Sequence, residues 1–342
     1  MLRRIKIDWA DLPQIQPLET PFAKPERILP GLEEIDPGRF PDFLDEIGHV
    51  GMGGSGFQTS EKIRNCMGAH TLVINGIECE PGITIDQSVL MYESRWVQAG
   101  TKACAQAVGA QKIVIAAKDK GDQISQLKEL YPDYEVVPFP DRYPAGAEKL
   151  ILKKLTGTLP PPGTRPYQLG FLVQNAVSLR AIGRAIVDGI PVVERPLSLA
   201  MPSTDFYKNI IAPVGRPIRD VLAAYTLPYD ARIHLIADSG LMMGHEVGLD
   251  DRIDKTTLSL VILERVPAER KERPCIRCGA CNTACPLGLH PYTLVERIQK
   301  GKTTGAAFQA QMTECFLCGV CSAVCPSDIP LVQTLQEGKT CL

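Results

Sequence analysis

Apolar residues in the first half of the chain gather into short runs, and stretches of helical period separate them. TLVINGI (Thr71 to Ile77), KIVIAAK (Lys112 to Lys118), YEVVPF (Tyr134 to Phe139) and GFLVQN (Gly170 to Asn175) read as strands. Val97 to Val108, Gln123 to Leu130, Ala147 to Leu155 and Val177 to Ile186 read as helices. Strands alternating with helices predict a parallel sheet covered on both faces. The prolines of LPPPGTRP (Leu159 to Pro166) mark a loop before the fourth strand.

The pattern changes near Pro191. VVERPLSLAM, NIIAPVG, RIHLIAD and LSLVILE are short β-rich runs with one helical stretch among them, Ile218 to Tyr225. They predict a small mixed α+β unit over residues 190–265. VPAERKERP (Val266 to Pro274) is a charged linker, and a cysteine-rich module fills 266–342. Residues 1–45, rich in proline and acidic side chains and without a sustained period, read as a lead-in that wraps a neighbour. The α/β unit then occupies 46–189.

Bulk properties narrow the class. The 342 residues exceed one ordinary core and suggest two or three domains. The chain is 44% hydrophobic and 22% charged, as folded proteins are, and its net charge of −2 offers no electrostatic reason to expect nucleic acid or acidic lipid. No apolar run reaches the roughly 18–20 residues that span a bilayer. The N-terminal MLRRIKIDWADLPQ lacks the apolar stretch of a secretory signal. A cytoplasmic protein, or one held at a membrane by another subunit, is expected.

Eight of the twelve cysteines lie between Cys275 and Cys325 in two copies of one pattern. The first copy is Cys275, Cys278, Cys281 and Cys285 followed by Pro286; the second is Cys315, Cys318, Cys321 and Cys325 followed by Pro326. This is the bacterial two-cluster run, in which the fourth cysteine of each copy ligates the other cluster. Two 4Fe–4S clusters are therefore expected, cluster one on Cys275, Cys278, Cys281 and Cys325, cluster two on Cys315, Cys318, Cys321 and Cys285. Gly279 and Gly319 sit where the backbone bends around sulfur. Zinc, the rival, takes four thiolates per ion from two separated pairs and does not call for a triple with a distant fourth and a proline. Cys66, Cys79, Cys104 and Cys341 fall outside the pattern and read as plain thiols.

A second concentration of chemistry is Gly51-Met52-Gly53-Gly54-Ser55-Gly56-Phe57. Glycines let a backbone approach a phosphate, and a helix beginning near Thr59 or Ser60 would place Lys62 one turn in, ready for the phosphate charge. A flexible turn explains the glycines equally well, because the run fits neither the P-loop nor the dinucleotide fingerprint. Three further polar stretches sit at or beside strand ends: Asn75 to Pro81, Pro144 to Lys149, and Gln174-Asn175. Strand ends are where open α/β sheets bind ligands.

Taken together, GMGGSGFQTSEK, INGIECEPGITID, YPAGAEK and LVQNAVSLRAI resemble the FMN- and NADH-binding core of the RnfC family of the Rnf electron transport complex, and more distantly the flavin-binding subunit of respiratory complex I. PVVERPLSLAM through SGLMMG resembles the ubiquitin-like soluble-ligand-binding β-grasp domain that follows in both. The double cysteine run matches the RnfC family. The likeness is collinear from about residue 30 to 338.

The resemblance implies an FMN phosphate held by Gly51, Gly53, Gly54, Gly56, Phe57 and Lys62, with Asn75, Glu78 and Asn175 elsewhere on the flavin. It implies Tyr143, Glu80 and Glu148 where NADH meets the isoalloxazine, the two carboxylates being the candidate catalytic groups. The implied fold is a Rossmann-like core, a β-grasp domain and a helical two-cluster ferredoxin-like domain. The implied activity is that of an NADH dehydrogenase subunit: hydride to FMN, then single electrons through two clusters to a partner. A flavin takes two electrons together and releases them singly, as clusters require. The partner would be another subunit of a redox complex, either an ion-translocating membrane assembly or a folate, cobalamin or other flavin enzyme. An electron-carrying adaptor without flavin is the alternative. Gln58 replaces the family's usual proline, and the extra N-terminal domain of full-length RnfC has no counterpart, which suggests a short, soluble relative.

His49, His70, His234, His245 and His290 show no metal-binding spacing and read as structural; Met242-Met243-Gly244 reads as packing. Lys271, Glu272 and Arg273, beside the first cluster, fit either a docking site or a solvated linker.

Overall fold

The computed structural model describes residues 16–29, 36–265 and 272–340. Four strands form an all-parallel sheet in the order β3-β2-β1-β4: β1 Thr71–Gly76, β2 Lys112–Lys118, β3 Glu135–Phe139 and β4 Phe171–Asn175. Thr71 stands in register with Lys112 on one side and Phe171 on the other. The strands are apolar throughout because both faces are covered.

On one face Leu72, Ile74 and Leu172 pack against α4 (Ser94–Val108) and α7 (Ala176–Asp188); on the other Val73, Val114 and Val173 meet Ile151 of α6 (Glu148–Thr156). Each such side chain contributes about 1.5–3 kcal/mol when buried. Helices α4 and α7 cross closely: a Cβ on Gly183 would lie 1.8 Å from the carbonyl oxygen of Trp96, and one on Gly100 2.0 Å from that of Leu179. Glycine at both positions allows the backbones to touch.

Four short elements complete the core: α1 (Phe40–Glu46), α2 (Thr59–Asn65), α3 (Ile85–Tyr92) and α5 (Gln123–Leu130). α1 lies mostly inside the stretch read as lead-in, yet Phe40, Phe43 and Leu44 are buried in the α/β core. α3 lies in a stretch to which the pattern assigns no element. It has no capping side chain from Thr84; instead the carboxylate of Glu78 accepts from the Asp86 N–H at 2.7 Å. A cap supplied from outside the helix leaves no local signature.

Five strands form the second sheet in the order β6-β5-β9-β7-β8: β5 Glu194–Met201, β6 Phe206–Pro213, β7 His234–Asp238, β8 His245–Val247 and β9 Ser259–Glu264. β5 and β9 pair parallel and the other neighbours antiparallel, with α8 (Ile218–Ala224) packed on the sheet. In order of appearance the strands lie 2-1-5-3-4, the arrangement of the β-grasp fold. A buried charge cluster joins this sheet to the first unit. Glu194 of β5 accepts from Arg180 at 2.9 Å and from Arg184, Arg180 also binds Glu93, and both guanidinium groups lie against the Trp96 ring. Residues 16–29 span the same junction. Glu19 exchanges backbone bonds with Asn209 and Ile211 of β6, and the N–H of Leu29 bonds to Gly189 beyond α7.

The cysteine module is helical: α9 (Ala280–Ala284), α10 (Pro291–Gln299), α11 (Ala306–Glu314), α12 (Val320–Ala323) and α13 (Leu331–Lys339). Leu294, Val295, Phe308, Met312 and Leu335 form its core. Its two halves repeat forty residues apart, and the backbone repeats with them. Arg277 and Leu317 have φ of 56° and 58°, Gly279 and Gly319 75° and 79°, and Gly288 and Asp328 66° and 59°. Most of the linker expected at 266–274 lies outside the described residues. Among the described residues, no helix is long and apolar enough to cross a membrane.

A candidate flavin and iron–sulfur site

The glycine loop follows a buried histidine. His49 bonds through Nε2 to the Ser178 carbonyl at 3.0 Å and through Nδ1 to the Thr59 hydroxyl at 2.8 Å. Burial, the largest influence, lowers its pKa to about 4, and nearby Lys255 pushes the same way. The ring is therefore neutral: Nε2 donates to the carbonyl, which can only accept, and Nδ1 accepts from Thr59. One side chain thus fixes the entry to the loop, the start of α2 and the start of α7.

The loop is closed by Gly51 N–H to Phe57 at 2.7 Å and Gly56 N–H to Gly51 at 3.1 Å, while Met52 N–H donates to Ser178 Oγ at 2.9 Å. Gly53 through Phe57 face solvent. Among the described residues, no acceptor meets the N–H groups of Gly53, Gly54 or Ser55. Exposed amides without acceptors on a glycine loop are donors waiting for an anion, so the loop fits a phosphate. Lys62, on α2, reaches Glu148 at the start of α6, Nζ to Oε1 2.8 Å. A cation and a carboxylate from two helices thereby meet.

The remaining expected residues divide into two groups. Asn75, Glu78 and Asn175 act as braces. Asn75 donates to the Gly146 carbonyl at 2.9 Å and accepts from Ile77 N–H, tying the end of β1 to the β3–α6 loop. Asn175 caps α7 by accepting from Val177 N–H at 3.0 Å, and its amide donates to both oxygens of Asp86 at 2.7 and 2.8 Å. Glu78 and Asp86 are buried together. Burial raises both carboxyl pKa values, that of Asp86 to about 6, against the pull of buried Arg195. Glu80 and Tyr143 instead join neighbouring units. Glu80 accepts from the Met242 N–H on the β7–β8 turn, and Tyr143 Oη donates to the Cys318 carbonyl at 2.7 Å. Met242, in the run read as packing, therefore meets Glu80 through its backbone.

In the cysteine module, Cys315, Cys318, Cys321 and Cys285 line one cavity, and Cys275, Cys278, Cys281 and Cys325 line another. Each cavity thus takes its fourth sulfur from the opposite half. None of these eight forms a disulfide, which leaves every sulfur available to a cluster. The cavity of Cys315 faces the α/β unit. Glu314, buried just before it, accepts from Lys149 Nζ at 2.6 Å and from Gly163 N–H at 2.9 Å. The other cavity faces outward, with Cys278 exposed and Ile276 68% exposed. Spacing alone did not reveal Ser178, Lys149 or Glu314, because their partners lie far along the chain.

Comparison with known proteins agrees with this architecture. Residues 44–184 match the family described as Nuo51 FMN-binding domain, and residues 274–329 the 4Fe-4S dicluster domain. The C subunit of the ion-translocating oxidoreductase complex of Edwardsiella ictaluri, an RnfC protein, is 33% identical over 321 residues, 91% of this chain and 40% of that protein. Its namesake from Pasteurella multocida is 33% identical over 89% of this chain and 37% of its own length. In Buchnera aphidicola the same protein is 31% identical over 90% and 66%. The chain belongs to the RnfC family. It spans about 40% of the length of the first of these relatives. A chain of the NAD+-reducing NiFe-hydrogenase shares the fold, with TM-score 0.55 and 16% identity over 82% of this chain and 54% of that one. FMN and two 4Fe–4S clusters are thus the cofactors of this RnfC family member.

Proposed function

We propose that this chain is the NADH-oxidising flavin and iron–sulfur subunit of an electron-transfer complex. The observation that carries the proposal is the Tyr143–Cys318 hydrogen bond, which joins the loop flanking the flavin cleft to the loop of cluster two. Bound FMN would accept a hydride and part with its electrons singly. The protein supplies position and charge. The amides of Gly53, Gly54 and Ser55 with Lys62 would hold the phosphate, while Asn75 and Asn175 keep the strand ends rigid beneath it. Glu80 and Glu148 are the carboxylates that would meet a dinucleotide beside the flavin.

The same contact gives the clusters an order. Cluster two, on Cys315, Cys318, Cys321 and Cys285, lies against the α/β unit and would receive electrons first. Cluster one, on Cys275, Cys278, Cys281 and Cys325, with Cys278 exposed, would deliver them to a partner. That partner would be another subunit of the complex, as the names of the relatives suggest.

Anaerobic reconstitution with iron, sulfide and FMN, followed by rapid mixing with NADH, tests the proposal. Flavin bleaching followed by bleaching of the cluster absorbance is expected. A chain that binds about eight irons, the content of two cubanes, but no flavin would instead be an adaptor that only relays electrons.

A further inference from the structure

The β-grasp unit meets the glycine loop through residues 254–258, between β8 and β9. The segment is tied down at several points. The Asp254 carboxylate accepts from Thr256 N–H at 2.9 Å and from its hydroxyl at 2.8 Å. Thr257 Oγ1 donates to Asp238 at 3.1 Å, Leu258 N–H donates to Ser239 Oγ at 3.1 Å, and Arg195 Nη1, from the buried start of β5, donates to the Lys255 carbonyl at 2.9 Å. The result is a rigid strap.

The strap lies against the glycine loop. Lys255 Nζ donates to the Gly48 carbonyl at 2.6 Å, just ahead of the loop's closing hydrogen bond at Gly51. A Cβ on Gly48 would come within 2.9 Å of that ammonium group. Farther along, a Cβ on Gly54 would lie 3.3 Å from Leu258 Cδ1, and one on Gly56 3.2 Å from Thr256 Cγ2. Three points on and before the loop are thus in contact with three residues of the strap.

We propose that the Lys255–Leu258 strap is a positioning element of the flavin-phosphate loop, with Lys255 as its anchor. The proposal rests on reading Gly51 to Phe57 as that loop. A glycine-rich loop left to itself samples many conformations, and ordering it on binding costs free energy. A strap that holds the backbone in its binding shape removes part of that cost. The second domain then sets flavin affinity without touching the flavin.

The test uses the full chain with its clusters reconstituted, and measures FMN affinity by quenching of flavin fluorescence. Lys255→Met is expected to weaken FMN by about tenfold, the size of one lost charge-assisted hydrogen bond. Iron content and circular dichroism should stay as in the wild type, and amide hydrogen exchange across residues 48–58 should quicken. Lys255→Arg, which keeps a donor, should recover most of the affinity. Leu258→Ala, which keeps every tether but removes the contact with Gly54 and some packing on the α/β core, should weaken FMN by a smaller factor. Equal FMN affinity in Lys255→Met and wild type, with unchanged exchange in the loop, overturns the role of the strap and leaves the flavin site standing. A wild-type chain that takes up no FMN defeats the flavin reading, and the strap's role with it.

Discussion

Tyr143 and Cys318 are 175 residues apart in sequence, yet the tyrosine hydroxyl donates to the cysteine carbonyl at 2.7 Å. The bond joins the β3–α6 loop, which also carries Gly146 and leads into Glu148, to the sulfur-bearing loop of the second repeat. Replacing Tyr143 with Phe keeps the ring and removes the bond, at a cost of about 1 kcal/mol. Iron content should be unchanged, while reduction of the clusters after mixing with NADH should slow several-fold. An unchanged rate would show that the contact does not hold the two centres in working distance.

The second joint is electrostatic. Glu314 is 7% exposed and meets Lys149 at 2.6 Å. Lys149→Met would leave the carboxylate with the Gly163 N–H and the more distant charge of Lys339, and a poorly paired buried charge is costly. Lys149 itself is partly open to solvent, so a loss of about 2 kcal/mol is expected. A lowered urea midpoint together with faster protease cleavage between the α/β unit and the cysteine module would register it. A midpoint equal to that of the wild type would count against a docked module.

Much of this was legible in the residues alone. β1, β2 and β4 announce themselves as apolar runs because a doubly covered strand has no polar face to show. The cysteines announce their partners because cluster chemistry dictates spacing. What escaped was whatever depends on distant chain segments. α3 is capped by Glu78 from outside the helix, α1 appears only as a half-turn of apolar side chains among prolines, and Lys149 and Lys255 meet partners 165 and 207 positions away. Residues expected at the flavin were recognisable as special, but not what each does. Asn75 and Asn175 make most of their hydrogen bonds to the surrounding backbone and to Asp86.

Crossed ligation gives a prediction that sequence neighbours would not. Cys325 follows closely on Cys321, yet it shares a cavity with Cys275, Cys278 and Cys281. In Cys325→Ser the resonance of cluster one should change or vanish in the reduced-state EPR spectrum, with cluster two retained. Cys285→Ser should do the reverse. Loss of the cluster nearest in sequence in both variants would refute the crossing.

His49 makes the loop sensitive to acid. Its folded pKa of about 4 lies below the ordinary 6.5, so the unfolded chain takes up a proton that the folded chain refuses. Stability from this residue is complete above pH 6.5 and is lost as pH falls toward 4, about 3 kcal/mol in all. Asp86, raised to about 6, acts in the opposite sense, losing its contribution as pH rises from its ordinary 3.8 toward 6. The comparison is therefore best made against His49→Gln. The advantage of the wild type in urea unfolding should shrink steadily below pH 6.5. A pH-independent difference would mean that the folded ring takes up its proton as readily as the unfolded one.

The matched left-handed positions at Arg277 and Leu317, Gly279 and Gly319, and Gly288 and Asp328 show one loop design used twice, with the last sulfur of each copy lent to the other. Such a loan makes the halves interdependent. Neither copy can be excised as a working miniature, and oxidative loss of the outward cubane would strip a wall from the module that carries the inward one. Each half is incomplete without the last cysteine of the other.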